Sequence, residues 1–555
     1  MATKKILTSW QRLMGLLKLD KRDVLQTFYY AIFAGLVNLS LPLGIQSIIN
    51  LIQGAEISTS WIILVVLVTG GVAFGGILQI MQIRIVENMQ QKIFTRASFE
   101  FTYRFPKIKM SELRNYYPPE LANRFFDTIT IQKGLSKLLL DVPAAILQIV
   151  FGLLLLSFYH PFFIVYGILL LLLVYLVFRF TAQKGLDTSL DESKHKYEVA
   201  HWIQEVARSL VSFKLSGRTS LAVDKNDMLV TEYLKARESH FRVLLIQFVQ
   251  MIGFKVLVTA GLLVIGGLLV LNQEMNIGQF VASEIIILLV ITSVEKLIRG
   301  FETFYDLLTS LEKIAQVVDR GLENQNGAQP LNEDDNLKVE LDKVSFSTPS
   351  KKNILNDISF KIKPGSRHLI VGENGSGKST LLRLIAGVNV PTEGTIYAND
   401  FSLKGISPSH YRSFLGQCIA EESPFEGTIL ENITFGDKTV PHVDLHWVLE
   451  NIGLLQFIKE QPNGLNAMIY PEGQRIPHTI SRKIVLARSI VHMPKLLLLD
   501  DPLDHFDAVE AERIMKFLTN KSNPWALVVI SPDKRWEKVC EKIITLNQGK
   551  VVSIT

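Results

Sequence analysis

The sequence predicts two domains: an all-α domain of six membrane-spanning helices with long cytosolic extensions, and then a mixed α/β domain. Three observations predict this fold class. Six apolar stretches precede residue 300, two long charged segments separate them, and a glycine-rich loop near residue 372 joins an apolar strand to a helix. The 555 residues have a mean hydropathy of +0.25, which is too apolar for a purely soluble chain of this length. We therefore expect a transmembrane domain over 1–319, a linker over 320–337 and the second domain over 338–555.

The remaining composition narrows the class of protein. A formal charge of +5 is small for this length, so the basic residues do not indicate a nucleic-acid partner. The two cysteines, Cys418 and Cys540, both lie in the half expected in the cytosol, where a disulfide is not expected. The N-terminus lacks a short apolar core with a small-residue cleavage site, so no removable signal peptide is predicted.

Six stretches are long enough to cross the lipid hydrocarbon core, which takes about 20 residues. They lie near 24–50, 61–83, 138–158, 161–180, 243–271 and 278–298. The connecting loops 51–60, 159–160 and 272–277 contain no Lys or Arg, whereas the N-terminal tail is basic. Because basic loops stay in the cytosol, both termini and the second domain are predicted to be cytosolic.

Two long charged segments, 84–137 and 181–242, lie on the cytosolic side and are predicted to continue the membrane helices as helical hairpins. The tip of the first is expected at Tyr116–Asp127, where Pro118 and Pro119 interrupt the helices. For the second tip we favour Arg208–Ser216, with an ordinary amphipathic surface helix as the alternative. Residues 320–337 are polar and turn-rich, as is typical of a linker.

The run from Gly372 to Ser379 reads G-x-x-x-x-G-K-S, after the apolar strand Arg367–Val371 and before the helix Leu381–Ile385. Such a loop wraps backbone N–H groups and a helix N-terminus around phosphates, and it predicts binding of ATP with Mg²⁺. Lys378 would reach the β- and γ-phosphates, and Ser379 would hold Mg²⁺. The full set of predicted nucleotide-binding residues is Gly372, Glu373, Asn374, Gly375, Ser376, Gly377, Lys378, Ser379, Thr380 and Thr348.

A second acid-bearing strand strengthens this prediction. Lys495–Asp500 is a continuous apolar run that ends in a carboxylate, typical of a buried parallel strand that delivers an acid to Mg²⁺. Strands are also predicted over Leu337–Leu341, Val344–Phe346, Ala526–Ile530, Lys542–Leu546 and Lys550–Val552, with a turn and strand over Pro391–Ile396.

With these pieces in place, the whole chain resembles an ABC exporter half-transporter with an ABC-type P-loop NTPase domain. The matching motifs are Val344–Phe346, Gly372–Thr380, Gly427–Ile433, Val485–Arg488, Leu496–Asp500 and the D-loop residue Asp507. The resemblance implies a dimer with a second copy or a homologous half-transporter, in which two ATP molecules lie between each P-loop and the opposing signature sequence. It also implies helices swapped between the two chains, with stalk tips that reach the partner's nucleotide-binding domain.

The segment Asn276–Ala282 before the sixth helix looks most like bacterial type I secretion exporters of the haemolysin kind. That narrower resemblance implies the bacterial inner membrane, a peptide or protein cargo and a periplasmic adaptor protein. No peptidase-like domain precedes the first helix to support such a cargo.

Several positions depart from the family pattern. The adenine-stacking aromatic is replaced by Thr348, and the glutamine that reaches Mg²⁺ and the attacking water is replaced by Ala420. Gln417 lies three residues before it and either substitutes through a loop shift or is a solvated surface residue. The general-base glutamate is replaced by Asp501, one methylene shorter, and the switch histidine by Pro532, which can neither hydrogen-bond a γ-phosphate nor relay a proton.

The signature sequence is also altered. Residues Ile476–Ile480 stand where the family has Leu-Ser-Gly-Gly-Gln, so Pro477, His478, Thr479 and Ile480 replace its polar and glycine residues. Pro477 has no N–H to offer a phosphate. Gly473–Arg475 lies upstream and is interpreted as the turn before the helix.

Three hypotheses follow from this pattern. The first is a transporter subunit that binds Mg·ATP but hydrolyses it slowly or not at all, in export of a peptide, protein or small amphipathic substrate. The second is an ordinary ATP-hydrolysing exporter that tolerates the substitutions. The third is a non-transporting membrane scaffold whose nucleotide-binding domain is a docking platform.

Overall fold

The computed structural model describes residues 8–53, 59–114, 116–332, 334–348, 352–419 and 422–555. Inside one helix the side chains of residues 173, 174 and 176–178 are not described. The chain divides into two compact units. The helical unit contains Met1–Pro106 and Asn115–Arg320, and the α/β unit contains Lys107–Arg114 and Gly321–Thr555.

The helices of the first 320 residues include four that exceed 40 residues. Their bounds are α1 Ser9–Leu19, α2 Lys21–Asn38, α3 Ser40–Gln53, α4 Thr59–Arg104, α5 Met110–Leu113, α6 Pro118–Ala122, α7 Asp127–Tyr159, α8 Phe162–Arg208, α9 Leu210–Leu215, α10 Leu221–Leu271 and α11 Ile277–Val318, with 3-10 turns at Phe105–Lys107 and Asn123–Phe126.

The chain is a multi-pass membrane protein. Within the described residues, five segments are long and apolar enough to cross a membrane: Lys21–Gln53, Thr59–Lys107, Pro118–Tyr159, Leu221–Leu271 and Ile277–Val318. The predicted span at 161–180 lies in α8, where the apolar part Phe162–Leu172 is described and several later side chains fall outside the described set. The sixth span therefore remains a prediction.

The first span differs from the single helix that its apolar run suggests. It consists of α2 and α3, which are separated at Leu39 between Asn38 and Ser40. The long helices otherwise continue without interruption out of the apolar stretches into the charged segments, as α4, α8 and α10 do. This confirms the prediction that membrane helices extend into stalks.

The first stalk tip begins earlier than the sequence suggested. Helix α4 ends at Arg104, and the proline pair starts α6 at its first turn instead of breaking a helix. Proline is tolerated there because the first helical N–H groups have no intrahelical acceptor. The segment Lys107–Arg114 groups with the α/β unit, through a backbone bridge between Ile108 and Leu322. The second tip lies where it was predicted, with α8 ending at Arg208 and α9 following.

Among the five candidate spans in the described residues, the one that contains helix α11 is the most buried. In its most apolar 18-residue stretch, 50% is buried, whereas the corresponding stretches of the other candidate spans are 17–28% buried. It packs along α7, α8 and α10, with Ile286, Ile287 and Val290 in the shared core. A helix that is apolar on most sides is expected at the centre of a bundle.

The α/β unit contains twelve strands in the described residues. They are β1 Val339–Ser347, β2 Asn353–Ile362, β3 Arg367–Gly372, β4 Glu393–Ala398, β5 Phe401–Ser402, β6 Leu415–Cys418, β7 Gly427–Thr428, β8 Met468–Ile469, β9 Leu496–Asp500, β10 Ala526–Ile530, β11 Lys542–Asn547 and β12 Lys550–Ile554. Its helices are α12 Lys378–Ile385, α13 Pro408–Arg412, α14 Ile429–Thr434, α15 His442–Ile452, α16 Leu455–Glu460, α17 His478–Ile490 and α18 Ala508–Leu518, with 3-10 turns at Gly464–Asn466, Pro471–Gly473 and Lys534–Lys538.

Two main sheets organise this unit. An antiparallel sheet has the order β2-β1-β4-β5, and the central sheet has the order β12-β11-β3-β10-β9-β6. In the central sheet β11, β3, β10, β9 and β6 run parallel, and β12 is antiparallel at one edge. Strands β9 and β10 are fully buried, which explains why they read as unbroken apolar runs. The carboxyl ends of the neighbouring parallel strands β3, β10 and β9 therefore lie at one edge of this sheet.

Candidate functional site

The site lies at the carboxyl ends of three neighbouring parallel strands. Strand β10 pairs with β3 on one side and with β9 on the other, so that Ile530 is opposite Ile370 and Asp500. Ligands of open parallel sheets bind at this edge, because the loops after the strands converge there. The glycine-rich loop follows β3, Asp501 follows β9, and Pro532 follows β10.

The glycine-rich loop has the backbone geometry that phosphate binding needs. Gly377 is the N-cap of α12 with φ 100°, and a Cβ there would lie 2.7 Å from the side chain of Leu355. A left-handed conformation and this close approach together require glycine. Lys378 Nζ donates hydrogen bonds to the carbonyl oxygens of Gly372 and Glu373, at 2.7 and 2.9 Å. The ammonium group therefore lies inside the loop, at the N-terminus of a helix suited to anions.

The acid at the end of β9 fits a metal ligand. Asp500 is 6% exposed, and among the described residues its Oδ2 has no hydrogen-bond donor. A buried carboxylate oxygen without a partner is costly unless a ligand completes it. Ser379, in the first turn of α12, supplies a hydroxyl of the kind that Mg²⁺ accepts. Asp500 and Ser379 are thus the residues that would hold Mg²⁺, whose charge would offset that of the phosphates.

Asp501 lies at the general-base position and is tied to the neighbouring strand. Its Oδ1 accepts a hydrogen bond of 3.0 Å from Ser531 Oγ, and its backbone has φ 46°. Burial raises the pKa of Asp501, the bond from Ser531 opposes that rise, and the nearby carboxylates of Asp504 and Asp500 add to it. Pro532, which follows Ser531 in the chain, is exposed and has no hydrogen-bond donor or acceptor on its side chain.

Arg482 is a residue of this site that the sequence reasoning missed. It is 6% exposed on α17, and its Nη2 donates to the carbonyl oxygens of Asp500 and Asp501, at 3.3 and 3.1 Å. The guanidinium thereby holds the backbone carbonyl groups of both acids in place. Its spacing from the buried residues Val485 and Ser489, on one helix face, is the signal that could have identified it.

The residues at the signature position begin α17. Pro477 is the N-cap of this helix and makes no side-chain capping bond, and the helix starts at His478. The His478 ring packs edge-on against His505, with ring centroids 5.1 Å apart. The upstream Gly473–Arg475 segment forms a turn in which Arg475 has φ 73°, as the sequence indicated. Side chains therefore occupy the positions where the family has glycines.

The other predicted positions are distributed around this edge. Thr348 directly follows β1, and its N–H donates a hydrogen bond of 3.0 Å to the carbonyl oxygen of Lys352. Gln417 is a half-buried residue of β6 opposite Leu498. Ala420 lies outside the described residues. Asp507 caps α18 by accepting a 2.8 Å hydrogen bond from the backbone of Glu510.

Comparison with known proteins identifies the family. Residues 25–294 match the model of the ABC transporter transmembrane region, and residues 355–504 match the ABC transporter model. The chain belongs to the ABC transporter family. Both regions are fused in one chain, as in an exporter half-transporter, and the α/β unit contains the ABC-type nucleotide-binding domain. The resemblance inferred from the motifs is confirmed.

Individual relatives agree with this assignment. The ABC chain is 29% identical over 251 residues to an export ATP-binding/permease protein of Rickettsia typhi, a match that covers 44% of this chain and 43% of that protein. It is 29% identical over 218 residues to the Lactococcus lactis lactococcin-G-processing and transport ATP-binding protein LagD, over 39% of this chain and 31% of that one. The matches thus span less than half of the relatives' length.

Solved structures confirm the fold. A bacterial Atm1-family ABC exporter with ATP bound superposes with a TM-score of 0.85 at 16% identity, covering 96% of this chain and 95% of that chain. The helical membrane domain followed by an α/β nucleotide-binding domain is therefore the architecture of this ABC protein.

Proposed function

We propose that this chain is one half of a bacterial exporter that binds Mg·ATP and hydrolyses it slowly or not at all. It would act in the plasma membrane as a dimer with a second copy or a similar half-transporter, with both termini and the nucleotide-binding domain in the cytosol. The observation that carries this proposal is the distribution of the altered residues over both parts that form an ATP site.

Binding is supported by the parts of the site that remain. The loop keeps Lys378 at the helix N-terminus, and Asp500 keeps a buried carboxylate oxygen for Mg²⁺. Both features would bind the phosphates and the metal ion, and this binding precedes hydrolysis. Nucleotide affinity would be reduced by Thr348, which offers no aromatic ring to adenine.

Slow hydrolysis is supported by the parts that differ. In a sandwich dimer one site would use Asp501 and Pro532 of this chain, and the other would use its residues 477–480 against the partner's loop. One chain would therefore weaken both sites. Positioning of water and γ-phosphate accounts for most of the catalysis in such enzymes, so these losses would act directly on turnover.

The short carboxylate supports the same conclusion. Asp501 is a methylene shorter than glutamate, and its Oδ1 is held by Ser531 toward β10. A displacement of about 1 Å at a reacting group can cost about 100-fold in rate. An ordinary ATP-hydrolysing exporter is the alternative, and a membrane scaffold without transport is the third candidate. A periplasmic adaptor and a peptide cargo remain proposals from the resemblance to secretion exporters.

The test is ATP turnover by the purified chain in lipid nanodiscs, beside equilibrium Mg·ATP binding on the same sample. We expect saturable binding with turnover well below about 1 per second, the lower end of the usual enzyme range. Turnover at or above that rate would overturn the slow-hydrolysis proposal in favour of a working exporter. Binding without transport of any substrate would favour the scaffold.

A further inference from the structure

A cavity of about 340 Å³ lies in the α/β unit, away from the phosphate-binding edge of the sheet. Helix α5 borders it on one side, and the C-terminal end of α12 with the following turn at Gly387–Pro391 borders it on the other. Its volume is in the range of about 300–1,000 Å³ that is typical of small-molecule sites. None of the predicted nucleotide-binding residues lines it.

The floor of the cavity is apolar. Leu384, Ile396, Ile406 and Tyr411 line it and are each at most 2% exposed. The hydroxyl group of Tyr411 donates a 2.8 Å hydrogen bond to the carbonyl oxygen of Ile385, so the ring presents carbon to the cavity. An alkyl chain or an aromatic ring fits this surface better than a polar ligand, because removing apolar surface from water favours binding.

The rim of the cavity is cationic. Lys109, Arg114 and Lys404 line it, and neither lysine has an ion pair with a described residue. Glu323 is the only acid among the described lining residues, and both of its oxygens accept from Arg412, at 2.8 and 2.9 Å. Since that carboxylate is already paired, the described lining of the cavity contains three cations and no unpaired acid.

The guanidinium of Arg114 is also positioned for a ligand. Its central carbon lies 4.9 Å from the centroid of the Phe346 ring, which holds the group by its face. A stacked guanidinium keeps N–H donors at its edge, where they can bind a carboxylate. The apolar floor and cationic rim together are complementary to a molecule with one acidic end and one apolar end.

We propose that this cavity binds an amphiphilic monoanion of the fatty-acid class. Its acid group would lie among Lys109, Arg114 and Lys404, and its chain would lie on the floor formed with Leu384 and Ile396. The apolar floor disfavours a nucleoside triphosphate, and the cationic rim disfavours a basic peptide. The site is distinct from the phosphate-binding loop, since none of the residues from Gly372 to Thr380 lines it.

The test is photo-crosslinking of the full chain in nanodiscs with a diazirine derivative of decanoic acid, followed by mass spectrometric mapping. Mapping separates binding in the cavity from partition into lipid, because only the former labels peptides within 384–391 or 403–411. We expect label in these peptides, displaced by excess decanoate and not by decylamine or decanol.

Two variants locate the site. Lys404→Glu reverses one rim charge and should lower labelling of those peptides by about 5-fold or more, since surface charge pairs contribute up to about 1 kcal/mol each. Val390→Trp, at a lining residue that is 62% exposed, should obstruct the opening without a change in the core. Lys459→Glu, at an exposed lysine outside the cavity, is the matched control and should label as wild type does.

Label confined to the membrane helices would overturn the proposal, as would label in the cavity peptides that both variants leave unchanged. Equal displacement by decanol or decylamine would show an apolar pocket without selectivity for acids, which also contradicts it. Unchanged thermal unfolding and Mg·ATP affinity of the variants would show that lost labelling is not lost folding.

Discussion

Ser531 donates a hydrogen bond of 3.0 Å to Oδ1 of Asp501, which joins the ends of β10 and β9 at the centre of the nucleotide site. Each residue directly follows its strand, so the bond links two positions that are 30 residues apart in the chain. The carboxylate at the general-base position is therefore anchored by the residue next to Pro532. A longer side chain placed there would have to break or rearrange this contact.

The pKa of Asp501 predicts a pH-dependent stability. Burial raises it above the ordinary aspartate value of 3.8, so ionisation is penalised in the folded state. This penalty is absent below the ordinary value, grows as pH rises toward the folded pKa and is constant above it. Asp501→Asn, which can still accept from Ser531, should raise the unfolding temperature near pH 7 in Mg²⁺-free buffer, and the gain should shrink near pH 4. Differential scanning fluorimetry checks this, and a lower unfolding temperature near pH 7 contradicts it.

Repair of one catalytic position should restore little ATPase activity. Asp501→Glu alone leaves Ala420 and Pro532, so the water and γ-phosphate stay unpositioned, and we expect less than about a 10-fold gain. Ala420→Gln, Asp501→Glu and Pro532→His together should still fail in a homodimer. Activity should rise only when residues 477–480 are also changed to Ser-Gly-Gly-Gln, because the opposing signature completes each site. Turnover assays on the series measure this non-additivity, and full recovery by the first variant would disprove it.

Nucleotide binding should depend on Lys378. Lys378→Ala removes the charge inside the loop, and we expect Mg·ATP affinity to fall by more than about 10-fold, since a hydrogen bond to a charged group contributes about 1.5–3 kcal/mol. Thr348→Tyr should tighten binding by about 2–10-fold, as an aromatic contact adds about 0.5–1.5 kcal/mol. Fluorescence titration with an ATP analogue measures both. Lys516→Ala, at an exposed lysine, is the control, and equal affinity of wild type and Lys378→Ala would refute the assignment.

Arg482 should be important for the stability of the α/β unit. Arg482→Met leaves the carbonyl oxygens of Asp500 and Asp501 without this donor in a buried setting, which typically costs about 1–3 kcal/mol. The unfolding transition of this unit should shift to a lower denaturant concentration. Arg513→Met, at a half-exposed arginine that also donates to carbonyl oxygens, should shift it much less. Equal shifts of the two variants would contradict the role of Arg482.

Glycine at position 185 should be required for the stability of the helical unit, because it packs against the ring of Tyr305. A Cβ on Gly185 would lie 2.4 Å from the Tyr305 ring, which is 1% exposed and whose hydroxyl accepts from Gln247 at 3.1 Å. Gly185→Ala should destabilise this unit by about 1–3 kcal/mol through overpacking. Gly253→Ala, at a helical glycine with open space around it, is the control. The double variant Gly185→Ala with Tyr305→Ala should be less destabilised than the sum of the single variants, and simple additivity in a thermal assay would contradict the contact.

The sequence by itself determined the elements whose signal is local. The apolar runs predict the membrane spans, the run Leu496–Asp500 predicts a buried strand, and Gly372–Ser379 predicts a phosphate-binding loop, all of which depend on residues next to one another in the chain. Membrane thickness and the glycine-dependent backbone of the loop impose these patterns directly. The second stalk tip was also predicted, at Arg208–Ser216, where α8 ends and α9 follows.

Only the tertiary structure decided what depends on contacts between distant segments. The bond from Ser531 to Asp501, the burial of Arg482 behind both acids, the placement of Gln417 within β6 and the grouping of Lys107–Arg114 with the α/β unit all follow from how elements pack. The spacing of a polar residue along a helix can indicate that it lies on a buried face, but its partners are backbone groups that the sequence does not place. The cavity between α5 and the end of α12 exists for the same reason, since its walls come from segments nearly 300 residues apart and only folding brings them together.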